Sequence, residues 1–375
     1  MTLVRQSSSD LVICAKSTLI IYNFSTRNDD IVTLPDVKSL VKGNNSRSRD
    51  KHEEDTITTA TFSKDERYFI VSTFKKQLIV YDQNFDVYNK FVLKRGASRL
   101  KCTENNKNII VADKTGEVYV YNLTDDGSEP TLLLGHLSML LDILVTSCDK
   151  YIITCDRDEK IRVSSYPNSY NIVNYCLGHK EFVTNVELVN DVLLSASGDG
   201  TVRFWDFVNG TQIGLINTNE YVTNGDLIQS FCKEMKEEKC EVRSLPITDM
   251  QVLRTNERIH IAVTLHMSFD IQLYIVSECM CAKVEWCFLQ NITMNSQIES
   301  FSLGENIFVL CSEGLYVFKF DGNKYCCVNS DELNFFYGKR CDMIHDNSLI
   351  TITQLYKRKF DTVQQYFEKK KVRIN

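Results

Sequence analysis

The chain has 375 residues, with 43 Lys and Arg against 49 Asp and Glu, for a formal net charge of −6. An autonomous nucleic-acid binder carries a strong basic excess, so any RNA contact here has to be local or shared with a partner. Hydrophobic content of 43% and charged content of 25% are ordinary for a soluble globular chain, and no apolar run approaches the ~20 residues that a membrane span needs.

From Leu11 the chain reads LVICA, a Lys16-Ser17 turn, then TLIIYNF: two short β runs joined tightly. Residues 38–55 are polar, mixed in charge and poor in apolar side chains, which predicts a solvated loop; Arg47 and Arg49 within it are a weak alternative as RNA contacts. A unit follows over residues 56–93, with Tyr81-Asp82 near its end, and another over 97–134, with the turn Asp113-Lys-Thr-Gly116 and then Tyr121-Asn122. The next two units, 136–177 and 179–215, each begin after LGH, at His136 and His179, and close at Ser164 and Trp205; a polar turn before the closing strand holds Asp158 or Asp199. The four closing positions are 40, 43 and 41 residues apart. Residues 231–243 are charge-dense and read as a short helix or an excursion. Period-2 strands without GH or WD then fill 246–288 and 298–328.

A period of ~40–45 residues with GH near the start and WD at the end marks a WD40 β-propeller blade of four short strands. The fold class expected is all-β, a seven-bladed WD40 β-propeller over residues 1–356. The run SLITITQLY, ending at Tyr356, is the expected C-terminal contribution to a blade closed from both chain ends, followed by a basic tail at 357–375. In blade five, His179, Ser195 (or Ser197), Asp199 and Trp205 are the candidate hydrogen-bond set that satisfies a buried imidazole and pins the turn, with His136 as its counterpart in blade four.

No phosphate loop, GxGxxG, HExxH or GxSxG is present, so no cofactor is expected and the chain reads as a scaffold rather than an enzyme. The 14 Cys lack paired CxxC at zinc spacing, so no metal is expected either. Many lie in apolar strands, as Cys14, Cys102 and Cys311 do, and read as reduced thiols of a cytosolic or nuclear protein, with the nucleus the expected location and the cytoplasm a second one. The unusual stretch is the blade-four turn and strand, where Asp156, Arg157, Asp158, Glu159, Lys160 and Arg162 crowd together. Strand alternation puts Lys160, Arg162 and Ser164 on one face, opposite Ile161 and Val163. That face is either a solvated turn or a rigid site for carboxylates of another protein.

The runs LLGHLSMLLDI, YIITCDRDEKIRVSSYP, CLGHKEFVTNV and LLSASGDGTVRFWD resemble the wuho-type WD-repeat non-catalytic subunit of eukaryotic tRNA (guanine-N7)-methyltransferase. ADKTGEVYVYN in blade three is similar to the same family. The resemblance implies a subunit that transfers no methyl group itself but stabilises a catalytic partner, which forms 7-methylguanosine in the tRNA variable loop and makes most of the tRNA contact. It points first to Arg162, then to Lys160, Asp158 and Arg157, as partner-contacting or supporting residues. The alternative is a generic WD40 adaptor, such as one in a ubiquitin ligase or chromatin assembly.

Overall fold

The computed structural model describes residues 2–35, 55–125, 129–255, 258–280, 283–344 and 352–358. Its strands form seven four-stranded sheets, each antiparallel and each in chain order from the inner to the outer strand. The blades cover residues 3–33, 57–92, 97–135, 140–176, 183–217, 247–293 and 298–328. The seven-bladed propeller read from the repeat period is therefore the fold.

Each strand alternates two faces, so each blade has two apolar sides, and each side must be covered by the next blade. The buried apolar residues accordingly fall into seven clusters, one for each junction around the ring. In blade four, for example, Ile161 and Val163 pack toward Val183, Leu193 and Trp205 of blade five. Cys14, Cys102 and Cys311 are buried small hydrophobes in these layers; burial pushes each of their thiols up to about 12.

The inner strands of blades two to seven share a bulge near their start, at Ile57/Thr59, Ala97/Arg99, Leu140/Asp142, Val183/Asn185, Ile247/Asp249 and Ile298/Ser300. Hydroxyls of the bulged residues Thr58, Ser98, Thr184 and Thr248 donate to carbonyls of the neighbouring strand. A bulge re-aims the side chain that follows it. Here Asp142, Asn185 and Asp249 line the central channel with Arg5, Arg99, Lys101 and Glu187, around a cavity of about 210 Å³.

Ring closure differs from the expectation. Blade one takes all four strands, Leu3–Gln6, Asp10–Ala15, Thr18–Asn23 and Asp29–Thr33, from the N-terminal part of the chain. Of the expected C-terminal strand, residues 348–351 lie outside the described residues, and Ile352–Leu355 is a 3-10 turn. The ring closes side by side: the Val4 amide donates to Ser300 Oγ (3.0 Å) and Gln6 Nε2 to the Asn306 carbonyl (3.1 Å). A helix absent from the sequence reading, α2 (Asp331–Ile344), covers this junction with Leu333, Phe336 and Ile344.

The charged excursion is a helix, α1 (Gly225–Glu237), but it starts and ends earlier than residues 231–243. The Asn224 side chain accepts the Asp226 N–H and fixes its start. Phe231 and Met235 bury against the junction of blades five and six. Most of the polar loop at 38–55 (all but Asp55), with Arg47 and Arg49, lies outside the described residues, as does the tail beyond Arg358.

Candidate partner-binding face

Blade five brings its expected set together. His179 Nδ1 lies 3.0 Å from Asp199 Oδ2 and its Nε2 2.7 Å from Ser195 Oγ, and Trp205 Nε1 donates to the same Oγ at 2.8 Å. Ser195, rather than Ser197, is the hydroxyl of the chain; Ser197 Oγ instead accepts the Asp199 amide. Burial holds His179 below its ordinary value, against the opposing pull of Asp199, and the hydrogen bond from His179 helps hold Asp199 well below the carboxylate range despite its burial. His179 and Trp205 are buried, and their ring nitrogens are satisfied within the blade, so the set serves the fold.

Blade four solves the same problem with a different carboxylate. His136 Nε2 meets Thr154 Oγ1 at 2.8 Å, but its Nδ1 meets Asp156 Oδ2 at 2.9 Å, not Asp158. Asp156 stands where blade five has Ser197, and its Oδ1 also accepts the amides of Asp158 and Lys160. One carboxylate thus does the work of Ser197 and of Asp199, because it has two oxygens to offer. Asp158, placed by the repeat as the turn acid, is released to face outward. It lies 3.4 Å from Lys357, which also pairs with Glu159 at 2.6 Å.

The remaining candidates separate. Arg162 lies on the same face as Ser164, as alternation requires, and its Nε donates to Ser164 Oγ at 2.9 Å. Its two terminal nitrogens donate to the carbonyls of Gly135 and Ser169, each at 3.1 Å. Ser164 holds the position of Trp205 in blade five, and the guanidinium of Arg162 occupies the space beside it. Three of five guanidinium N–H groups are engaged, which fixes the plane of the group and leaves one N–H on each terminal nitrogen. Lys160 is exposed and makes no ion pair among the described residues. Arg157 points the other way, donating to the carbonyls of Leu355 (2.8 Å) and Tyr356 (3.2 Å).

Residues 352–358 are the part of this face that sequence reasoning missed. Tyr356 is buried, its O–H donating to the Gly198 carbonyl at 2.9 Å and its ring 5.0 Å from that of Phe182. Arg358 pairs with Glu238, just past α1, at 2.7 Å. The segment crosses from α1 over the turn of blade five to the turn of blade four. No group of His, Cys, Asp and Glu suited to a metal occurs among the described residues.

These features define a seven-bladed WD40 β-propeller that exposes a charged blade-four turn on a rigid frame. Solved structures agree on the fold alone. A chain of the mitotic checkpoint complex superposes with a TM-score of 0.64 at 12% identity, covering 88% of this chain and 90% of that one. The β-propeller domain of Cps50 (Swd1) gives a TM-score of 0.60 at 11% identity, covering 82% and 92%.

Sequence comparison is more specific. Residues 124–298 match the family described as tRNA methyltransferase TRM82 WD40 domain. The tRNA (guanine-N(7)-)-methyltransferase non-catalytic subunit WDR4 of Mus musculus is 36% identical over 226 residues, 55% of this chain and 54% of that protein. The corresponding subunit wuho of Drosophila ananassae is 39% identical over 166 residues, 43% and 41%. Wuho of Drosophila mojavensis is 28% identical over 340 residues, 86% and 82%. The chain thus spans about half the length of the first of these relatives, and the resemblance seen in blades three to five is borne out.

Proposed function

We propose that the protein is the non-catalytic subunit of a two-chain tRNA (guanine-N7)-methyltransferase, holding a catalytic subunit that forms 7-methylguanosine in the tRNA variable loop. The observation that carries this reading is the blade-four face: the family match spans it, and it offers Arg162 already oriented by three internal acceptors. A carboxylate of the partner meeting the two unengaged N–H groups would pair with a guanidinium that has little freedom left to lose. Lys160, exposed beside it, adds a second cation. The net charge of −6 supports a division of labour in which the partner supplies most of the phosphate contact. Free thiols and the basic C-terminal residues support residence in the nucleus, which imaging of the tagged chain checks.

The test is co-purification with the catalytic tRNA (guanine-N7)-methyltransferase subunit. Arg162→Glu is expected to abolish capture and tRNA 7-methylguanosine formation. Because Arg162 also holds blade four together, Lys160→Glu is the companion variant: it removes no internal bond and is expected to weaken capture roughly tenfold, as rim charges do. Unchanged capture by both variants sinks the proposal in favour of an adaptor that serves another complex.

A further inference from the structure

The blade-four turn carries three acids and three bases, a poor face for an acidic partner unless the acids are silenced. The structure silences each one. Asp156 is spent on His136 and the turn amides, and Asp158 and Glu159 both face Lys357. Of the bases, only Arg157 is withdrawn, onto the Leu355 and Tyr356 carbonyls. What remains outward is cationic, Lys160 and Arg162.

We propose that residues 352–358 belong to the partner-binding surface, as a strap whose Lys357 neutralises the acidic half of the blade-four turn so that Lys160 and Arg162 face the carboxylates of the catalytic subunit. The proposal rests on the function given above. An exposed ion pair holds little by itself, and the pairs of Lys357 are half-exposed. The strap is instead held by its buried neighbour: Tyr356 is 2% exposed, packed between Phe182 and Phe231 and hydrogen-bonded to Gly198. Tyr356 sets the position, and Lys357 supplies the charge there. Glu181, beside this segment, adds a further reason for a cation, since burial and then Glu159 and Asp199 push its carboxyl up to about 7 while Lys357 pulls it down.

The test is the affinity of the full chain for the purified catalytic subunit at about 50 mM and about 500 mM salt, between which the screening length falls severalfold. Lys357→Glu is expected to weaken binding roughly tenfold at low salt, with the loss shrinking at high salt. The double variant Glu159→Lys with Lys357→Glu restores the charge balance and is expected to recover most of the affinity. If Lys357→Glu binds as the unaltered chain does while Arg162→Glu does not, the strap is overturned and the function stands. If both bind normally, the function itself fails. A loss that ignores salt and comes with a lower melting temperature assigns Lys357 to the fold and overturns the strap as a charge device.

Discussion

At the scale of single residues, the blade-four turn shows how one side chain's geometry decides the job of another. With both oxygens of Asp156 engaged, Asp158 is free to meet Lys357. The same arithmetic appears in blade three, where Asp113 Oδ1 accepts the Thr115 and Glu117 amides but Oδ2 has no partner among the described residues, at the place where His136 sits on Asp156. Charge has a more testable effect at Glu181. Burial first, then Glu159 and Asp199, push its carboxyl up to about 7, with Lys357 opposing. A pKa raised above its unfolded value of about 4.3 means that the fold favours the protonated form. That stability is fully present below the unfolded value and is lost as pH rises through about 7. Glu181→Gln, neutral at every pH, is therefore expected to match the unaltered chain in denaturant midpoint at about pH 3, below the unfolded value, where the carboxyl is protonated in both states. At alkaline pH it is expected to exceed it. A constant difference between the two proteins across that range would refute the assignment.

At the scale of elements, α2 is the clasp of the ring. It covers a junction with no exchanged strand, through Phe336, whose ring lies 5.2 Å from Tyr22 of blade one, and through Leu333 and Ile344. Lys339 and Arg340 reach Asp29 of blade one, and Thr2 Oγ1 donates to the Ile344 carbonyl at 2.9 Å. The half-exposed Lys339 pair contributes little beside the apolar face. Phe336→Ala is expected to destabilise the protein by about 3 kcal/mol, the cost of a cavity left by a buried ring, whereas Lys339→Ala changes the unfolding midpoint by well under half of that. Equal losses would mean that charge, not packing, closes the ring. The propeller was legible in the sequence because strand alternation and a period near forty residues are carried by near neighbours in the chain. The clasp was not: its buried residues 333, 336 and 344 are interrupted by an exposed Phe335 and leave no clean helical stripe. The strap failed for a related reason. SLITITQLY alternates like a strand in sequence, but over its described residues 352–356 the conformation is set by a pocket for Tyr356 built by Phe182, Gly198 and Phe231, far away in sequence. Arg162 could be singled out from its charged turn and its strand face. The internal acceptors that orient it come from Gly135 and Ser169, and no strand pattern announces them.

At the scale of the whole molecule, a polar belt around the central channel ties blades that share no strand. Arg5 of blade one donates to the Ala60 carbonyl of blade two at 3.1 Å. Arg99 of blade three lies 3.2 Å from Asp142 of blade four, and Asp142 accepts the Val186 amide of blade five at 3.0 Å. Asn185 reaches Asp249 of blade six at 3.0 Å, and Gln251 reaches the Phe301 carbonyl of blade seven at 2.8 Å. Burial works against the guanidinium of Arg99, but Asp142 and then Asp249 outweigh it and hold Arg99 above its ordinary value. A buried pair of this kind adds modest net stability when intact, yet removing one partner strands the other charge. Arg99→Ala leaves Asp142, which is 3% exposed, without its ion-pair partner, compensated by the Val186 and Ile143 amides and by the charge of Lys101. The expected cost is about 3 kcal/mol, read as a lower denaturant midpoint. The cost should come from the stranded carboxylate rather than from lost packing, so Arg99→Met with Asp142→Asn, which removes both charges and keeps volume near the channel, is expected to recover about half of it. If the double variant is instead as unstable as the sum of its two parts, the belt acts through shape and hydrogen-bond geometry, and the charges are incidental to the rigidity of the ring. Either outcome is measured on the same protein that captures the partner, so a weakened belt also reports whether the blade-four face needs a stiff ring behind it. Arg99→Ala is expected to leave capture within about twofold in conditions where the chain stays folded, because Arg162 is oriented by acceptors within blades three and four and none of them lies on the channel.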